Sequence, residues 1–252
     1  MVRIVVFDSG LGSLSVIKQI QKQFKCSIIY FADSKNYPYG KKSIKLLNEI
    51  TLQTIMTLQN SFKPNLIIVG SNTLSLTLNS RPRNIISVLP PISEAKKITK
   101  SKTIAILATE SIVKSKLLEK YLDLFNTNGL KIFKINASAL VELVESGKFY
   151  SNPESCKTII EKTLSSMLIK NNIDVVILSS THLPFLLKFL KDVFPTVTFL
   201  DPSILLAKKL KRKYSNQSKK RNCLQIFTSG NIKLLENKLE HLGIKNKISK
   251  LT

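Results

Sequence analysis

The sequence predicts an α/β fold of two similar α/β lobes, each with a largely parallel sheet flanked by helices, and an active-site cleft between them. Three observations carry the prediction. Short apolar runs alternate with longer amphipathic segments through most of the 252 residues. The runs are continuously apolar, as strands are when helices cover both faces of a parallel sheet. Two of them, "NLIIV" (65–69) and "DVVIL" (174–178), then end in similar polar groups, Ser71-Asn72-Thr73 and Ser179-Ser180-Thr181-His182.

Taken in order, β-rich apolar runs place strands near 2–7 (VRIVVF), 27–31, 65–69, 103–107, 131–135, 174–178, 196–200 and 223–227. Apolar residues recurring at helical spacing place helices near 13–24, 42–62, 92–99, 111–126, 137–146, 154–171, 183–193, 203–214 and 231–242. Consecutive prolines in "LPPIS" (89–93) stop regular structure and mark a first crossover. A second, near 200–206, returns the chain, so the expected domains are 1–91 plus 206–252 and 92–205. In such sheets the working residues collect beyond the carboxyl ends of the strands. "FDSG" (7–10), "ADSKNYPYG" (32–40), "GSNT" (70–73) and "SSTH" (179–182) all fall there.

Composition narrows the class. A hydrophobic content of 43% supports a packed core, and no run approaches the roughly 18 apolar residues of a membrane span. The N-terminal apolar stretch is too short for a signal peptide, so the expected location is cytoplasmic. The three cysteines, Cys26, Cys156 and Cys223, are scattered without CxxC spacing, which points to neither a disulfide framework nor a metal site; each reads as a half-buried small hydrophobe. Net charge is +23, but only five of the 39 basic residues are arginine and lysine is spread through nearly every segment. Base-specific readers favour bidentate arginine, so the excess argues against a nucleic-acid partner and reads as a compositional bias toward Lys, Asn, Ile and Ser. The denser cluster at 208–221 is a candidate anion patch, but it lacks interleaved aromatics and reads first as a solvated helix end and loop.

Six ordered motifs, "FDSGLGSLSV", "YFADSKNYPYG", "GSNTLS", "LVELVESG", "SSTHLPF" and "FTSGN", resemble those of the cofactor-independent glutamate racemases over essentially the whole chain. The resemblance implies two α/β domains with the active site between them, no cofactor and no metal. It also implies isomerase activity interconverting L- and D-glutamate for peptidoglycan synthesis. That family moves the α proton with two cysteines, one on each face of the substrate; thiols suit the task because a reference pKa of about 8.5 leaves thiolate accessible. The matching positions here are Ser71 and Ser180.

By the same resemblance, Asp8, Ser9, Tyr39, Gly40, Asn72, Thr73, Thr181 and His182 would hold the amino acid's charged groups. Asp8 and His182 would assist the proton-transfer positions, and Glu145 would support the histidine. Taken as residues alone, Asp8 also fits a turn cap, His182 a satisfied polar core residue and Glu145 an exposed helix end. His241 reads as a surface residue near a helix terminus. Neighbours depart from the family pattern as well: Ser13 replaces a glycine, Leu74 an alanine, Ser179 a glycine and Leu183 a tyrosine, with Leu74 expected to narrow the pocket.

Two functions follow: a glutamate racemase working poorly or by a modified mechanism, or a catalytically inactive homologue that binds an amino acid or small carboxylate as a regulator. A one-base epimerase or decarboxylase is disfavoured because such relatives keep a cysteine. The partner is a small molecule, glutamate or a similar amino acid, with no membrane and with a homodimer left open.

Overall fold

Every residue of Leu66–Val69, Thr103–Ala108 and Val175–Leu178 is buried, the mark of strands inside sheets covered on both faces. The computed structural model describes residues 2–78, 82–125, 128–214 and 221–251. In chain order the strands are β1 (Arg3–Asp8), β2 (Ser27–Ala32), β3 (Leu66–Val69), β4 (Ile85–Ser87), β5 (Thr103–Ala108), β6 (Lys131–Asn136), β7 (Val175–Leu178), β8 (Thr198–Leu200), β9 (Cys223–Thr228) and β10 (Ile248–Lys250). The helices are α1 (Ser13–Gln23), α2 (Ile44–Phe62), α3 (Asn72–Thr77), α4 (Ile92–Ile98), α5 (Glu110–Val113), α6 (Lys116–Leu122), α7 (Ser138–Glu145), α8 (Lys148–Ser151), α9 (Pro153–Lys170), α10 (Leu187–Val193), α11 (Pro202–Tyr214) and α12 (Ile232–Glu240). The chain forms two compact units, Met1–Val88 with Ser203–Thr252, and Leu89–Pro202.

The first unit holds a sheet of order β10-β9-β2-β1-β3-β4, and the second one of order β6-β5-β7-β8. Every pairing in both is parallel. Edge strands are less apolar: β6 carries Lys131 and Lys134, and β10 ends on Lys250, charges that discourage pairing with another chain. Side-chain caps start several helices. Ser43 Oγ accepts from the Leu46 amide at 3.3 Å to open α2, and Asn152 Oδ1 accepts from the Ser155 amide at 3.1 Å to open α9, with Pro153 in its first turn. No helix among the described residues is long and apolar enough to cross a membrane.

Several elements differ from the sequence expectation. Strands β4 and β10 and helices α3 and α8 were not expected; at three to six residues each, they are too short to show a period. The helix expected over 111–126 is broken where Ser115 Oγ accepts from the Leu118 amide at 3.3 Å and starts α6 afresh; residue 126 lies outside the described residues. The helix expected from 183 begins as a 3-10 turn, Leu183–Leu186, containing Pro184. In the basic cluster, Lys208, Lys209, Lys211, Arg212 and Lys213 are exposed on α11, while 215–220 lie outside the described residues. Cys26 and Cys156 are buried, and burial pushes the Cys156 thiol up. Cys223, expected to be half-buried, is exposed at the start of β9.

Asp174 ties the second unit together at the amino end of β7. Its carboxylate accepts from Thr99 Oγ1 at 2.6 Å, Ser101 Oγ at 2.8 Å, and the amides of Lys100 and Ser101 at 2.6 and 3.0 Å. Partial burial raises its pKa, but the hydrogen bonds from Thr99, Ser101 and Lys100 outweigh that effect and hold it below the usual aspartate value. A depressed folded pKa stabilises above the unfolded value of about 3.9, and the contribution is lost as pH falls through the folded value. Asp174→Asn is therefore expected to lower unfolding free energy at pH 7 by about 1–3 kcal/mol, nearer the low end for a partly exposed group. Urea titrations at neutral pH and below roughly pH 4 should show the gap from wild type closing.

Candidate functional site

In the first unit, polar residues follow three adjacent parallel strands at their carboxyl ends. Asp8 ends β1, is 4% exposed, and accepts from the Ser9 amide through Oδ1 at 2.7 Å. The loop that follows is pinned by Tyr30, whose hydroxyl donates to the Gly10 carbonyl at 2.7 Å. Beyond β2, Tyr39 and Gly40 lie in a 3-10 turn after the cis Tyr37–Pro38 peptide. Tyr39 is buried and donates its hydroxyl to Asp33 Oδ2 at 2.8 Å. Burial, then the charges of Asp33 and Asp8, push the phenol pKa well above its ordinary value, so Tyr39 stays a neutral donor.

Asp33 was missed in the sequence, although it lies inside the quoted "ADSKNYPYG" run. It is 2% exposed, and besides Tyr39 it accepts from Asn36 Nδ2 at 2.9 Å and from Ser229 Oγ at 2.9 Å. It thereby joins the β2 turn to "FTSGN". A cavity of about 200 Å³ opens beside these turns, lined by Ser9, Gly10, Tyr37, Asn231, Leu234 and Lys238 among others. Lys238 lies 5.3 Å from the Tyr37 ring centroid.

Beyond β3, Ser71 caps α3, its Oγ accepting from the Leu74 amide at 3.5 Å. Ser71 and Asn72 are buried and Thr73 is half-buried. Leu74 is fully buried in the core of this unit, in one cluster with Phe7, Phe31, Tyr39 and Leu47. The turn into Ser71 is close-packed: a Cβ on Gly70 would lie 2.4 Å from Ser13 Cβ and 3.2 Å from the Phe7 carbonyl oxygen. The Ser13 hydroxyl is itself buried without a partner among the described residues. Gly70→Ala is expected to cost about 1–3 kcal/mol by overpacking. Ser13→Gly in the same chain should recover most of the loss, a coupling that a double-mutant cycle on thermal unfolding measures directly.

In the second unit, three of the sequence-derived candidates meet. Ser180 and Thr181 follow β7, each 6% exposed. His182 Nε2 lies 2.6 Å from Glu145 Oε1, and its Nδ1 lies 3.4 Å from Ser180 Oγ. Glu145 is the last residue of α7 and its side chain is 3% exposed, so it is not an exposed helix-end charge. A carboxylate accepts only, so in this contact Nε2 carries the proton, and a neutral imidazole then presents Nδ1 to Ser180 as an acceptor. Ser179 and Leu183 are buried at 1% and 0% exposure. His241 is exposed at the C-cap of α12, away from the strand ends.

Parallel α/β units with polar groups gathered after their strands define an α/β ligand-binding or enzyme architecture with sites at strand carboxyl ends. No protein-family profile matches the chain. A glutamate racemase from Buchnera aphidicola subsp. Schizaphis graminum is 30% identical over 228 residues, 87% of this chain and 88% of that protein. One from Sulfurihydrogenibium sp. is 31% identical over 213 residues, covering 82% of this chain and 80% of its own. Among solved structures, a glutamate racemase isoform from Bacillus anthracis superposes with a TM-score of 0.84 at 25% identity, covering 100% of this chain and 97% of its own. The Escherichia coli glutamate racemase, solved with L-glutamate and the activator UDP-MurNAc-ala, gives 0.83 at 23% identity over 100% of this chain and 98% of its own. The chain belongs to the glutamate racemase family.

Proposed function

We propose that this chain binds glutamate or a closely similar amino acid and transfers its α proton slowly, with hydroxyls where the family uses thiols. Asp8, Ser9, the backbone of Tyr39 and Gly40, Asn72, Thr73, Thr181 and His182 provide the binding groups, and Ser71 and Ser180 stand at the proton-transfer positions. The observation that carries the reading is the placement of these groups after β1, β2 and β3 of one parallel sheet and after β7 of the other. Each is the carboxyl end of its strand, where α/β sheets present ligand groups. The reading places the protein in the cytoplasm beside peptidoglycan precursor synthesis and leaves a homodimer open as its assembly.

The two hydroxyls are unequal. Ser180 has an imidazole acceptor beside it, whereas the Ser71 hydroxyl accepts from a backbone amide that stabilises the start of a helix. Proton exchange at the two faces of a substrate would therefore differ in rate, and exchange would outrun inversion. Calorimetric titration with L- and D-glutamate tests the binding half. Saturable heats are expected for at least one enantiomer, weakened at least about tenfold in Asn72→Ala through loss of a buried polar contact. Absence of binding to both enantiomers at millimolar concentration would overturn the proposal.

A further inference from the structure

We infer that Ser180, His182 and Glu145 form a nucleophile, base and carboxylate set able to accept an acyl group from an ester, an activity separate from proton transfer at glutamate. The inference stands on the second unit alone and does not depend on glutamate binding.

The geometry supports each role. Glu145 Oε1 at 2.6 Å from Nε2 holds the neutral imidazole in the tautomer whose Nδ1 carries a lone pair. Ser180 Oγ, 3.4 Å from that nitrogen, accepts at the same time from the His182 amide at 3.5 Å. A hydroxyl has one proton to donate and two lone pairs, so accepting from the amide leaves its proton free to point at Nδ1. Both distances are long for settled hydrogen bonds, and nucleophile-to-base contacts commonly tighten only when a reacting group compresses the site. The Glu145 side chain at 3% exposure and that of His182 at 11% are shielded, so the pair is preorganised. A serine used only as a helix or turn cap needs neither an oriented imidazole nor a buried carboxylate behind it. Ser71 is that simpler case: it caps α3, and the sole histidine of its own unit is the exposed His241.

The step balances without any redox partner. Ser180 Oγ forms a bond to the acyl carbon while its proton passes to His182 Nδ1. The bond from carbon to the leaving oxygen breaks, and that oxygen takes the proton from Nδ1. Water then attacks the acyl-serine, giving its proton to the same nitrogen and releasing the acid as Ser180 regains its hydrogen. Ser180 is the catalytic residue and His182 the base; Glu145 is a positioning residue.

The test is to incubate the full chain with a fluorophosphonate, which serine attacks with loss of fluoride, and to follow intact mass and the modified peptide. The expected result is one adduct at Ser180, none at Ser71, and a rate that rises with pH in a single one-proton step. His182→Gln should slow labelling about a hundredfold or more and abolish the step. Glu145→Gln should change the shape of the pH profile, whereas a merely structural loss would scale the rate evenly at every pH. Because either variant can disturb a buried pair, Ser180→Ala serves as a second arm. It leaves that pair intact and should abolish both the adduct and a stoichiometric burst of p-nitrophenol from p-nitrophenyl acetate. No adduct on wild-type protein, adducts spread over exposed serines, or a wild-type burst unchanged in Ser180→Ala would each overturn the inference. A folded His182→Gln variant labelled at the wild-type rate would do so too.

Discussion

Glutamate incubated with this protein in deuterium oxide is expected to gain α-deuterium at least roughly a thousandfold more slowly than with a cysteine-bearing relative, a difference of about 4 kcal/mol in barrier. General acid and base groups each contribute about 10² to 10⁴, and both positions here carry hydroxyls. A serine hydroxyl is a far weaker acid than a thiol, so its conjugate base is scarcely populated near neutrality. In the proposed reading His182, whose Nδ1 lies 3.4 Å from Ser180 Oγ, would relieve that deficit by accepting the proton, and no corresponding imidazole contacts Ser71 among the described residues. Ser71→Cys with Ser180→Cys should restore measurable racemisation, and each single change should fall short of it. Mass spectrometry of the α position, on protein purified free of host racemase, reads both effects. Turnover near one per second by the wild type would show that hydroxyls suffice.

Leu74→Ala is expected to destabilise the first unit by about 2–5 kcal/mol, the range for truncating a fully buried leucine. Viewed as a family comparison, leucine for alanine beside Asn72-Thr73 suggests a pocket wall to be cleared. In the fold the side chain belongs to the cluster with Phe7, Phe31, Tyr39 and Leu47 and is wholly buried. Truncation removes apolar packing and leaves a void beneath α3, whose cap is Ser71 and whose first turn carries Asn72 and Thr73. Adding Leu74→Ala to the double-cysteine variant should therefore lower activity along with stability. Urea unfolding of the single variant measures the cost; a loss under about 0.5 kcal/mol would remove Leu74 from the core.

Much of the fold was legible because β-rich apolar runs and helical periodicity are properties of neighbouring residues. The runs around β1, β2, β3, β5 and β7 announce themselves as strands, and their unbroken apolar character already implies two covered faces. Elements of three or four residues, such as β4, β10 and α8, contain less than one repeat of any pattern and exist because a neighbouring strand or helix supports them. The break between α5 and α6 turns on a single serine choosing to cap. Asp33 was passed over for a similar reason: an aspartate in a Ser, Asn, Pro and Gly-rich turn reads as turn chemistry, and its tie to Ser229 spans 196 residues.

The sequence by itself determined the class of fold, the polar groups that close the strands and the family resemblance, which carries with it the expectation that Ser71 and Ser180 stand where thiols would. Only the tertiary structure decided what those residues face. It set Glu145 against His182 across 37 residues, committed the Tyr39 hydroxyl to Asp33, turned Leu74 into the core and brought Ser13 against Gly70. The physical reason is one of range: strand and helix periods arise from adjacent covalent geometry, whereas a side chain's partner depends on strand order and register, which bring together residues far apart in the chain.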